Sequence, residues 1–184
     1  MSLPINVRTS LCSLAFAFAL TGCERQHAIA PPEIRYGEDV CAECGMILSD
    51  DRFAAALIRD GAAGRETLVF DDIGCLFLHS SASKDGVVLA QFVRDSEGGG
   101  WLDMPDACYV HSPQIETPMA FGIAAFSSPG AAQTQQEQTG GEYFDFTGLA
   151  RWLTEDPAAL DPLGVFTSKG PDESDGNTSA VDRE

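Results

Sequence analysis

The sequence reads as an α+β chain with antiparallel sheets, and three observations carry that prediction. Residues 52–59 and 66–70 are apolar or β-branched runs on either side of a turn at Gly61 to Gly64, which is how a hairpin is written. An apolar pattern at three- and four-residue spacing follows, and then the β-branched run 87–93, so strand, strand, helix and strand come in succession. Short strand-like segments between 101 and 126, and an amphipathic stretch after 147, give the C-terminal half the same mixture.

Taken in order, the chain opens on a targeting device. Arg8 supplies a positive n-region, and residues 11–20 form an apolar run too short to span a bilayer. Leu20-Thr21-Gly22-Cys23 then looks like a bacterial lipobox, so residues 1–22 are expected to be removed and Cys23 lipidated. Acyl chains contribute about 0.8 kcal/mol per buried methylene, so the mature protein would be lipid-anchored to a bacterial membrane, outside the cytoplasm. Residues 23–36, with Pro31-Pro32, read as a lipidated tether, in which His27 is solvated.

After the hairpin, Asp71 or Asp72 is placed to cap a helix. Its apolar positions are Ile73, Leu76 and Phe77, and it ends near Gly86. Cys75 inside it reads as a buried structural thiol and His79 as a partly exposed helix residue. The strand 87–93 runs into a Gly98-Gly99-Gly100 loop. Residues 101–104, 107–110 and 119–126 are expected as short strands, with Thr117-Pro118 turning the chain so that Met119 starts the last of them. Residues 130–141 suit either a polar helix or a loop. Thr147 is the expected cap of a final helix with Leu149, Trp152 and Leu153 on its apolar face. The acidic stretch 154–184 loses periodicity and reads as a disordered tail.

Composition narrows the function. An apolar fraction of 44% supports a true core, and a formal charge of −17 argues against nucleic acid and against polybasic binding to anionic lipid. With Cys12 discarded and Cys23 acylated, four thiols remain, Cys41, Cys44, Cys75 and Cys108, in a compartment that tends to oxidise them.

The chemistry is concentrated in Asp39-Val40-Cys41-Ala42-Glu43-Cys44-Gly45-Met46, where two thiols and a thioether lie within six residues. A Cys-x-x-Cys pair alone suits a redox dithiol, half of a zinc site, a Cu(I) site or a plain disulfide. The redox site normally sits between a strand and a long helix, and zinc asks for a second closely spaced pair; neither pattern is present here. Thiolate with thioether is the ligand set that selects Cu(I). Met46 adjoins the pair and Met119 follows a turn, whereas Met104 lies in a Trp-Leu-Asp-Met-Pro loop that suits core packing. The two hypotheses are therefore a copper-handling protein that is not an enzyme, and a thiol–disulfide oxidoreductase attacking through Cys41 with Cys44 as resolving thiol. His111 reads as a surface histidine near a strand end.

Several separated motifs then fall into one order: Asp39-x-Cys41-x-x-Cys44-Gly45-Met46, Asp51-Arg52-Phe53-Ala54-Ala55, Phe70-Asp71-Asp72-Ile73-Gly74-Cys75, Thr117-Pro118-Met119 and Ala125-Phe126. Together with the lipobox they resemble the NosL family, the lipoprotein accessory factors of nitrous oxide reductase. The similarity covers residues 37–153. The resemblance implies a periplasmic Cu(I) chaperone that serves apo nitrous oxide reductase through a membrane complex including an ABC-type transporter. It implies two small ββαβ-type units, about 37–95 and 100–153, and it carries over Cys41, Cys44, Met46 and Met119 as metal ligands. Met104, where a small residue is expected, and the long acidic tail depart from the family pattern.

Overall fold

A computed structural model describes residues 29–82, 86–156 and 159. The expected targeting segment, Cys23, the first part of the expected tether, residues 83–85 and 157–158, and the expected tail from 160 onward lie outside the described residues.

The hairpin forms as β1 (Ala55–Gly61) and β2 (Gly64–Phe70), paired from Ala55↔Phe70 to Gly61↔Gly64. Its connection is only Ala62 and Ala63, tighter than the turn the glycines mark out. β1 is buried from Ala55 to Ile58, because it becomes the second strand of a four-stranded antiparallel sheet and is covered on both faces. The strand order is β2-β1-β3-β4, with β3 at Val87–Arg94 and β4 at Trp101–Asp103. Helix α1 (Ile73–Ala82) leaves β2 directly, packs back on β1 and β2, and touches the second sheet.

The second sheet contains β5 (Cys108–His111), β6 (Ile123–Phe126) and β7 (Glu142–Asp145) in the order β6-β5-β7, all antiparallel. Helix α2 (Pro129–Thr139) lies between β6 and β7, and α3 (Phe146–Glu155) closes the described chain apart from Ala159. Each half thus contains the succession strand, strand, helix, strand, as the α+β reading expects, and the first half adds β4 at the edge of its sheet. The halves share one interior. Leu57, Phe70, Ile73, Leu76 and Val93 from the first pack with Tyr109, Phe121, Ile123, Ala125 and Leu149 from the second. A parallel bridge from Asp95 to Ala125 stitches the two sheets.

Four local expectations need correction or completion. The stretch expected as helix or loop at 130–141 is helical up to Thr139, because Ser128 accepts a hydrogen bond from the Ala131 N–H and Pro129 takes the first helical position, where its missing N–H costs nothing. The α3 cap is Asp145, whose Oδ1 accepts from the Gly148 N–H at 2.6 Å, not Thr147. The last strand of the 119–126 run begins only at Ile123, so Met119 sits in a turn closed by Ala120 N–H donating to the Thr117 carbonyl. Met104 is fully buried in a 3-10 turn, Met104–Asp106, and its carbonyl accepts the Tyr109 hydroxyl at 2.6 Å. Among the described residues no helix is long and apolar enough to cross a membrane.

Candidate metal centre

The Cys-x-x-Cys segment is a tight loop with an internal frame. Val40 and Ile47 form an antiparallel bridge, Leu48 N–H donates to the Asp39 carbonyl, and Cys41 N–H donates to Met46 at 2.8 Å. Gly45 makes the return possible: at φ 74 it occupies the left-handed region, and its N–H reaches the Cys41 carbonyl at 3.0 Å. One further bond, Ala42 N–H to the Val69 carbonyl at 2.9 Å, fastens the loop to β2. This turns Cys41 inward, 2% exposed, leaves Cys44 half-buried, and points Met46 outward.

The floor under the loop is the start of α1. Asp71 and Asp72 are completely buried, and each holds a different neighbour. Asp71 Oδ1 accepts from the Ser49 N–H at 2.8 Å, just beyond the thiol loop. Asp72 Oδ1 accepts from the Gly74 N–H, which caps the helix, while its Oδ2 accepts from the Met119 N–H at 3.1 Å. The Met119 turn lies against the helix because Gly74 has no side chain. A Cβ there would stand 2.1 Å from Cγ of Phe121. The helix then presents Cys75 in its first turn, directly behind the loop.

The sulfurs of Cys41, Cys44 and Cys75 lie within 4.8 Å of one another. A metal–thiolate bond of about 2.3 Å places the sulfurs of a trigonal set about 4 Å apart, so a small adjustment suffices to enclose one ion. Cys75 is therefore not the isolated structural thiol its sequence setting implies; it is buried, and it faces the other two. The Cys75 thiol donates to the Cys41 sulfur, and backbone N–H groups of Cys44, Asp71 and Glu43 add to it, which together hold Cys41 well below the ordinary thiol range. That same bond, with burial, pushes the Cys75 thiol far up. Burial also raises Cys44. The cluster thus favours the thiolate at Cys41 and the protonated thiol at Cys44 and Cys75.

Helix α1 also carries His79, one turn beyond Cys75. It is partly exposed, as expected, with Nδ1 3.0 Å from Glu43 Oε2 and its ring 5.4 Å from that of Phe70. Glu43 lies between the two loop cysteines, so this contact is a second fastening of the loop to α1. Nε2 of His79 is buried and has no partner among the described residues.

Of the residues singled out from the sequence, Cys41 and Cys44 are brought together and Met46 adjoins them on the loop. Met119 is half-buried against the same apolar core that contains Cys41 and Cys75. Cys108 lies apart, accepting a hydrogen bond from the Tyr143 hydroxyl at 3.3 Å, and the His111 ring packs tilted against Trp152, centroids 4.4 Å apart. All four cysteines described are free thiols.

Fold and site define an α+β protein with a three-cysteine cluster whose soft donors are compatible with copper. The chain belongs to the NosL family, whose model matches residues 34–153. The fold is similar to that of the copper chaperone NosL from Shewanella denitrificans, with a TM-score of 0.50 at 20% identity, covering 64% of this chain and 96% of that one. No curated protein matches the chain in sequence.

Proposed function

We propose that the protein is a Cu(I) metallochaperone, held outside the cytoplasm by lipid on Cys23, which supplies copper for the centres of apo nitrous oxide reductase through an ABC-type maturation complex. The observation that carries this reading is the set of three sulfurs within 4.8 Å, with Met46 on the same loop. Cys41, Cys44 and Cys75 supply the thiolates, and Met46 and Met119 are the thioethers available to complete or replace them. Soft donors retain Cu(I) in preference to harder ions. A site with a half-buried Cys44 and an outward Met46 leaves one side open, so an acceptor's ligand can enter before the donor's ligands leave.

The lowered Cys41 thiolate also suits a nucleophile, which keeps the oxidoreductase reading in view. Access speaks against it, since Cys41 is 2% exposed.

The test is a Cu(I) titration of the reduced full chain in detergent against a chromophoric chelator, with Cys41→Ser, Cys75→Ser, Met46→Ala and Met119→Ala in parallel. Tight one-to-one binding, weakened in the cysteine variants and in at least one methionine variant, is the expected result. A wild-type chain that cannot compete with the chelator, yet turns over a model disulfide, overturns the chaperone in favour of the oxidoreductase.

A further inference from the structure

We infer that the exposed apolar edge of the thiol loop is the surface on which the copper acceptor docks, and that the matching face of the acceptor is apolar with a basic rim. This rests on the metallochaperone reading and adds to it a surface and a partner chemistry.

Seven large hydrophobic side chains are substantially exposed among the described residues, and four of them belong to this one segment: Tyr36 at 37%, Val40 at 52%, Met46 at 52% and Ile47 at 53%. Val40 and Ile47 are opposite one another in the antiparallel bridge that closes the loop, so they stand together beside the thiols. Their exposure is built in. The loop is fixed to its own backbone, to β2 through Ala42 and to α1 through Glu43 and His79, so these side chains cannot fold away. Isolated surface hydrophobics need no explanation, but Val40 and Ile47 paired on a rigid support beside a reactive site, with exposed Met46 next to Ile47 in the chain, mark a contact.

Charge decides what kind of contact. Residues 33–52 carry six carboxylates and two arginines. Arg35 is committed to Glu38 and Asp39, at 3.1 and 2.6 Å, and Arg52 to Asp50 at 2.7 Å. The rim around the apolar edge is therefore negative with its cations already paired. A second copy of this chain would set that acidic rim against itself, which like-charge repulsion disfavours. A partner with lysine or arginine around an apolar centre fits. The patch is small, which suits an encounter that must end once the metal has moved.

The test uses Cu(I)-loaded full chain in detergent and purified apo nitrous oxide reductase together with its ABC-type maturation complex. The variants are Val40→Ser/Ile47→Ser and, separately, Glu38→Lys; all leave the sulfur ligands in place. Chelator competition should be unchanged in both, and the rate of copper transfer should fall about tenfold in the double variant, as for loss of an interface anchor. Transfer by the wild type should slow as salt is raised, and Glu38→Lys should slow it at low salt. Transfer at the wild-type rate by both variants overturns the surface, and a wild-type rate indifferent to salt overturns the basic rim. A wild-type chain that sediments as a dimer, and becomes monomeric in the double variant, makes the edge a self-contact and overturns the proposal. A loss of chelator competition by wild type itself sinks the metallochaperone reading, a separate failure that takes the docking surface with it.

Discussion

At the scale of single residues, the site depends on a few groups whose chemistry admits no close substitute. Cys75 is the clearest. Serine in its place still donates a hydrogen bond to the Cys41 thiolate but offers copper a hard oxygen. Cys75→Ser should therefore fold normally and lose Cu(I) affinity by at least about tenfold, or 1.4 kcal/mol, in chelator competition. An unchanged affinity would restrict the ligands to the loop. Gly74 is the structural counterpart. Its missing Cβ is the space occupied by the Phe121 ring, so Gly74→Ala should destabilise the fold by about 1–3 kcal/mol in urea and displace the Met119 turn. The sequence makes both residues visible but not their purpose. A cysteine in the first turn of a capped helix looks like core until one knows that the preceding strand holds the thiol loop through Val69, and that contact is between residues far apart in the chain.

At the scale of elements, the hairpin, α1 and β3 were legible because each carries its own period and its own turn chemistry. β7 was not, since Glu142–Asp145 is mostly exposed and is a strand only because β5 offers it an edge. The cap of α3 was displaced by two residues for a related reason. Asp145 ends β7 and starts the helix at once, so the chain has no room for Thr147 to act. Asp145→Ala should cost about 1 kcal/mol by denaturant titration, with the loss concentrated in hydrogen exchange of the first turn of α3. Thr147→Ala should cost a few tenths, and the reverse ranking would show that the cap is elsewhere. Within the candidate site, Cys41, Cys44 and Met46 could be picked out as candidate ligands because they stand together in one short stretch of sequence. Cys75, the His79–Glu43 fastening and the Asp72 latch on Met119 could not, because each joins segments that only the fold brings together.

At the scale of the whole molecule, the thiol cluster ties stability to pH and to metal. Cys41 is held below the thiol range in the folded chain, so above its ordinary pKa its ionisation stabilises the fold fully, and that contribution is lost as pH falls through the lowered value. Cys75 and Cys44 are raised, so the unfolded chain gives up their protons first once pH exceeds the ordinary thiol range, and the fold loses stability there. The thiol contribution to apo stability should accordingly climb through neutral pH and decline on the alkaline side, and Cys41→Ser should flatten the climb in a series of melting curves. Cu(I) should remove the alkaline decline, because it replaces the protons that Cys75 and Cys44 retain. A ligand that binds only the folded chain adds about 2.7 kcal/mol at one hundred times its dissociation constant. For a domain of this size that is worth roughly 2–4 °C per kcal/mol, so saturating Cu(I) under anaerobic conditions should raise the melting temperature by several degrees. The rise should be smaller in Cys75→Ser than in wild type. Because all three sulfurs belong to segments that meet in the shared core of both sheets, a melting temperature that ignores Cu(I) would mean that the ion binds the loop without engaging the helix, and the three-thiolate site would have to be given up.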